Sequence, residues 1–361
     1  MDLFNNGKLI PELNAMHASH LTGLQKLGLA GNLDIRLERL PIEFIERFNS
    51  TLIQLNLSGN LFPTLSSSIL AFRMPQLTAL ILNDCFINTV ESGALTGVPG
   101  LAAVYLARNN LKELASSAMP PLLQKLSIRE NPTQHGIVTD TFTLRVDACG
   151  DLANLKWLDM NFVNLEVVGA ESLCGMAGLN YLQVREANIR QIHQGSFDQL
   201  GQLVFLDLGQ NPIGKLPANF SRGLAKLSTL FLDDCSLSLS PCDPSPFQRL
   251  LNLQNLYLNN NKAMEDLDPS LLRSLTRLIV LNLSSNQLKN WQPGTTQFMS
   301  SQTNIDLSYN QMTSLPDDVL AEFGHINAID LSHNNFFCSC DVRSTQTQKH
   351  LQTDSISFPC G

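Results

Sequence analysis

The segment Leu278 to Leu288, L-I-V-L-N-L-S-S-N-Q-L, constrains the fold more than any other feature, because its frame of leucines and one asparagine recurs along nearly the whole chain. Leu281 and Leu283 stand two apart, so on an extended strand they share one face, with Val280, Asn282 and Ser284 on the other. Leu278 and Leu288 bracket the strand and turn inward beside it. Asn286 falls where the chain bends away, and buried backbone groups at a bend must find partners. A carboxamide donates and accepts at once, so asparagines stacked turn upon turn would form a ladder joining neighbouring bends. The frame therefore predicts a solenoid of short parallel strands.

Turns open at Leu24, Leu52, Leu77, Leu101, Leu123, Leu155, Leu179, Leu203, Leu227, Leu253, Leu278, Gln302 and Ile326, thirteen in all and mostly 24 to 26 residues apart. The ladder position reads Asn32, Asn60, Cys85, Asn109, Asn131, Val163, Ala187, Asn211, Cys235, Asn261, Asn286, Asn310 and Asn334. A thiol is a weak donor and can stand in, whereas Val163 and Ala187 cannot donate, so the ladder is expected to break there. Return arms carry a second apolar set, as in Phe197 with Leu200, which suits a short helical or 3₁₀ turn. Two insertions interrupt the period. Residues 132–149 hold an alternating run from Ile137 to Val146 that predicts an extra strand, and residues 236–247 hold Pro241, Pro244 and Pro246.

The resulting fold class is an α/β repeat solenoid, and the L-x-x-L-x-L-x-x-N-x-L frame resembles the leucine-rich repeat, a horseshoe with a concave parallel sheet and convex arms of short helices, 3₁₀ turns and loops. Residues 1–23 read as a partial repeat without an N-terminal cap, 24–336 as about thirteen repeats, and 337–361 as a cysteine-containing C-terminal cap cut short. The arms with phenylalanine and the run Asn334-Asn-Phe336-Phe-Cys338-Ser-Cys340 resemble the extracellular domains of Toll and Toll-like receptors. Adhesion receptors and matrix proteoglycans share the same turns. The resemblance implies recognition of microbial or endogenous molecules, with receptor dimerisation. It also implies that Cys338, Cys340 and Cys360 belong to a four-cysteine cap.

Net charge is −8 at pI about 5.3, which disfavours nucleic acid as the principal partner. Residues 1–11 have neither the cationic start nor the apolar core of a secretory leader, and no apolar run reaches the length of a membrane span. Taken as complete, the sequence points to the cytoplasm and a scaffold with reduced cysteines. Taken as a fragment of a receptor ectodomain, it points to the extracellular space or cell surface.

Catalytic patterns dissolve on inspection. Gly209-Gln-Asn-Pro-Ile-Gly214-Lys215 mimics a phosphate loop, but Leu216 stands where Ser or Thr would be needed, and Asn211 and Ile213 are ladder and core positions. His17 and His20 lack a third ligand, and Asp330, Ser332 and His333 are too close in sequence to converge as a triad. No enzyme, cofactor or metal is expected. Cys235 and Cys242 could bridge the second insertion, and Cys149 reads as core packing. N-x-S/T sequons stand at Asn49, Asn56, Asn219 and Asn282, with Asn219 on an arm.

Between the inward leucines, the middle of the concave face carries Tyr105, Trp157, Asp159, Tyr181, Arg185, Glu186, Phe205, Asp207, Phe231 and Tyr257. Trp157, Tyr181 and Phe205 take one position in three successive turns, and Phe231 and Tyr257 share another. Exposed aromatics edged by charge are the makings of an interface core for a protein or other macromolecular ligand. The bland alternative is that neighbouring rings merely cover one another. The far end, with Asn282, Ser284, Asp306, Ser308, Asp330 and Ser332, reads as an ordinary solvated face.

Overall fold

The computed structural model describes residues 1–2, 21–32, 41–67, 74–134, 137–138, 140–145, 152–239 and 245–336. Two compact units emerge, the first comprising residues 1–165 and 171–187, the second residues 166–170 and 188–361. Their boundary falls in the two turns whose ladder positions are Val163 and Ala187.

Each expected turn contributes one three-residue strand. In the first unit these are β1 (Lys26–Gly28), β2 (Gln54–Asn56), β3 (Ala79–Ile81), β4 (Ala103–Tyr105), β5 (Lys125–Ser127), β6 (Trp157–Asp159) and β7 (Tyr181–Gln183). All pair in parallel with unbroken register, Leu55 opposite Leu27 and Leu80, and Leu158 opposite Leu126 and Leu182. The second unit repeats the scheme with β8 (Phe205–Asp207), β9 (Thr229–Phe231), β10 (Asn255–Tyr257), β11 (Val280–Asn282), β12 (Asn304–Asp306) and β13 (Ala328–Asp330). The central residue of every strand is buried, because alternation sends it inward while its neighbours face the other side.

The ladder forms as the bends require. In the second unit Asn261 Nδ2 donates to Leu232 O and Leu258 O, and Asn286 Nδ2 donates to Leu258 O and Leu283 O, so each amide ties its own turn to the preceding one. The Asn261 N–H in turn donates to Asn286 Oδ1. Cys85 and Cys235 substitute by donating Sγ–H to Leu57 O at 3.3 Å and Leu208 O at 3.2 Å. Two of the three first-unit turns lacking a ladder asparagine, those of Cys85 and Val163, have a partial remedy not foreseen from the sequence. Asn83 Oδ1 accepts from the Ala107 N–H, and Asn161 Oδ1 from the Arg185 N–H, each two residues ahead of the vacated position.

Arms are mostly hydrogen-bonded turns, such as Leu200 N–H to Phe197 O, with both side chains buried, and Phe197 packs edge-on against Phe220. Short α-helices occur at Ile42–Glu46 and Asp317–Phe323, and 3₁₀ turns at Ser116–Ala118 and Pro269–Leu271.

Three expectations change. The run from Ile137 to Val146 is not one strand: Ile137–Val138 pairs antiparallel with Thr133–Gln134, while Thr143–Arg145 pairs in parallel with Glu113–Ala115. Gln302 is exposed, and the smaller Thr303 fills the inward place, its hydroxyl donating to Leu278 O. The Cys235–Cys242 bridge is not formed, since Cys235 carries a free thiol held in the ladder. Cys174 is disulfide-bonded, and because Cys85 and Cys235 are free, its partner lies outside the described residues. So do Cys149, Cys242, Cys338, Cys340 and Cys360, together with His17 and His20.

Candidate recognition surface

In the first unit the aromatic positions open the strands, and the alternation that buries Leu158 and Leu182 turns Trp157 and Tyr181 to the opposite face. Trp157 lies in register with Lys125 on one side and Tyr181 on the other. Tyr181 is 46% exposed. Tyr105 closes β4, and its ring centroid lies 6.5 Å from that of Trp157 at an interplanar angle of 53°, reaching diagonally past the small Ser127. Beyond the strand ends, Arg129 carries its guanidinium 5.3 Å from the Phe162 ring centroid while pairing with Glu130 at 3.0 Å. Arg108 and Asp84 form a two-pronged ion pair, both bonds 2.7 Å, and that hydrogen-bonded carboxylate holds the Arg108 guanidinium above its ordinary value. Glu186 is exposed and Arg185 half-buried in the bend after β7. Arg129 was missed, although it holds the Arg185 position two turns earlier and both Arg185 and Glu186, in the bend after β7, were read from the sequence.

In the second unit Phe205 opens β8, while Phe231 and Tyr257 close β9 and β10 in direct register. Phe231 and Tyr257 stack face to face, centroids 4.3 Å apart and planes within 2°, and Phe205 leans on Phe231 at 5.5 Å. All three rings are half-buried.

Two carboxylates expected on the open face lie low in it. Asp159 is 5% exposed and Asp207 8%. Each folds back on its own bend, Asp159 Oδ1 accepting from the Asn161 N–H and Asp207 Oδ1 from the Gly209 N–H. Burial pushes the Asp159 carboxyl above its ordinary value, opposed by the hydrogen bonds from the Asn161 N–H and the Ser127 hydroxyl. The same Gly209 N–H, committed to Asp207, removes a donor that the phosphate-loop reading would have needed. Among the described residues no group of three potential ligands could hold a metal ion.

The end of the second unit is less bland than its sequence suggested. Ser308 and Ser332 are buried, and Ser308 donates its hydroxyl to Asp306 Oδ1 at 2.7 Å. Tyr309 is 57% exposed and stacks on His333, centroids 4.1 Å apart, so His333 serves a surface platform rather than a triad. Of the sequons, Asn49 is exposed just beyond the first helix and Asn219 is half-buried on its arm. Asn56 and Asn282 sit in strands, where Oδ1 accepts from the Ser58 and Ser284 N–H groups.

The leucine-rich repeat family model matches residues 153–213, 178–237 and 276–336. Toll-like receptor 3 of Bos taurus is 28% identical over 306 residues, which cover 79% of this chain and 32% of the relative. The chain thus spans about a third of the length of that receptor. Lumican of Mus musculus is 28% identical over 286 residues, covering 77% of this chain and 78% of lumican. Among solved structures, the Drosophila Toll–Spatzle complex superposes with a TM-score of 0.63 at 15% identity, over 90% of this chain and 41% of that one, a likeness of fold. Among the described residues no helix is long and apolar enough to cross a membrane.

Proposed function

The chain is a leucine-rich repeat protein similar to Toll-like receptor 3 and to small repeat proteoglycans, and on that premise we propose that it is a non-catalytic recognition module whose strand face binds a protein ligand. The observation that carries this reading is the pair of aromatic clusters, Tyr105 with Trp157 and Phe205 with Phe231 and Tyr257, presented on the sheet rather than in the core. A half-exposed ring offers a large apolar area at little rotamer cost, which is why such side chains dominate interface energetics. Arg129, Arg185 and Glu186 edge the first cluster and would set register and polarity. Toll engages Spatzle in the solved complex, and a protein ligand for a Toll-like ectodomain, with dimerisation on binding, is the parallel we draw.

We place the protein in the extracellular space or at the cell surface. The Cys174 disulfide supports this, since such bonds persist in oxidising compartments, and it counts against the cytosolic scaffold. A matrix protein is the second reading, favoured by the nearly equal coverage of this chain and of lumican.

Alanine substitution tests the proposal. Trp157→Ala and Tyr181→Ala should each weaken a purified partner by about 2 kcal/mol, roughly thirty-fold in Kd, with folding checked in parallel. Gln54→Ala, half-buried on the same sheet, should leave affinity within about two-fold. Undiminished affinity in folded aromatic variants would reject the strand face and turn attention to the insertions.

A further inference from the structure

The strand faces of the two units differ in charge. In each turn, the residues from the first strand position to the one before the ladder site make up this face. In the first unit they include Lys26, Arg108, Lys125, Arg129 and Arg185 against Asp84, Glu130, Asp159 and Glu186, five bases to four acids. The corresponding stretches of the second unit, 205–210, 229–234, 255–260, 280–285, 304–309 and 328–333, contain no lysine or arginine and five acids, Asp207, Asp233, Asp234, Asp306 and Asp330.

At Asp306 and Asp330 local structure does not demand that charge. Asp207, Asp306 and Asp330 each use Oδ1 to accept the N–H two residues on, and Asn282 does the same work in β11 with a neutral amide. Asp207 stands in register beside Phe231 and Asp306 two strands beyond Tyr257, and the two rings, stacked face to face, turn half-buried apolar edges outward on which the aliphatic stem of a lysine or arginine can lie. We propose that this face docks a cationic, arginine- or lysine-bearing segment of a protein partner. The inference rests on the strand-face reading above and names the chemistry of what the second unit takes.

The spacing adds detail. Asp207, which closes β8, and Asp233 are nearly buried, whereas Asp234 is exposed in the bend after β9; Asp306 and Asp330 close β12 and β13 half-exposed, and only Tyr257, Asn282 and their neutral neighbours lie between. Three strand spacings of about 4.8 Å separate β9 from β12, about 14 Å, or some four residues of extended chain. A segment with basic residues at both ends of a small, uncharged middle would reach both acidic groups while lying across the rings.

The probe is a dye-labelled peptide of about nine residues, with a pair of arginines near each end and glycine and serine between, followed by fluorescence anisotropy. Asp306→Asn with Asp330→Asn keeps both turn acceptors and removes both charges. The expected loss is about ten-fold, with a similar loss for Phe231→Ala. Asp266→Asn with Asp317→Asn changes net charge equally on exposed arm positions and should cost less than about two-fold. Failure of the peptide to bind, or equal losses in the face and arm variants, overturns the inference. A partner whose affinity depends on Trp157 and Tyr181 would still uphold the recognition surface in either case, so the two ideas fail separately.

Discussion

Asn286 offers a graded test of the solenoid. Its side chain makes three bonds to backbone: Nδ2 to Leu258 O at 3.1 Å and to Leu283 O at 2.7 Å, and Oδ1 from the Asn261 N–H at 2.6 Å. The residue is 5% exposed, so water cannot freely replace the amide. At about 1 kcal/mol net per bond, Asn286→Ala should cost about 3 kcal/mol. Asn286→Cys should cost about half that, because a thiol can still donate to the preceding turn, as Cys235 does to Leu208 O, but offers no carbonyl oxygen to the Asn261 N–H. Asn290→Ala, exposed and outside the ladder, should stay within about 0.5 kcal/mol. Hydrogen exchange reads the effect locally: the Asn261 amide should exchange on the order of a hundred-fold faster in the alanine variant, alongside an earlier urea midpoint. Equal losses for alanine and cysteine, or for Asn286 and Asn290, would refute the ladder argument.

Other predictions follow from close approach and burial. A Cβ at Gly223, where φ is +87°, would stand 2.2 Å from Phe197 O and 2.6 Å from Asp198 C, both backbone, so Gly223→Ala should cost more than about 2 kcal/mol in urea unfolding. Gly201→Ala, with nothing within 4 Å, should be near neutral. Burial pushes the Cys85 and Cys235 thiols up to about 12, so neither should react with iodoacetamide in native protein at pH 8. Because the folded values lie above the ordinary 9.0, the protein should lose stability as pH rises from there towards 12, and Cys235→Ser should flatten that decline.

Leucine spacing made the sheet legible, since a period repeated thirteen times specifies which side chain faces inward, and the strands at Leu55, Leu158 and Leu281 fall where it requires. Depth on the outward side was not legible. Asp159 and Asp306 occupy equivalent strand positions, yet Asp159 is buried and Asp306 half-exposed, because what stands beside an aspartate belongs to neighbouring turns and not to its own. Ser308 looked solvated, yet it is buried and its hydroxyl is committed to Asp306 two residues before it in the same turn. Arm geometry was the least readable part. Within the insertion, Thr133–Gln134 and Ile137–Val138 form an antiparallel pair while Thr143–Arg145 pairs in parallel with Glu113–Ala115, a choice set in the latter by pairing at a distance.

The chain holds two tryptophans, which permits a direct test of the strand face. Trp291 is 2% exposed with its Nε1–H unpartnered, so Trp291→Phe removes an orphaned donor while keeping an aromatic ring to pack against Phe323. Fluorescence from that variant reports Trp157 alone. Acrylamide should quench it readily in free protein and markedly less once a protein partner is bound, because the partner covers the ring. Quenching that stays unchanged at saturating partner would place the binding elsewhere and contradict the strand face as the recognition surface.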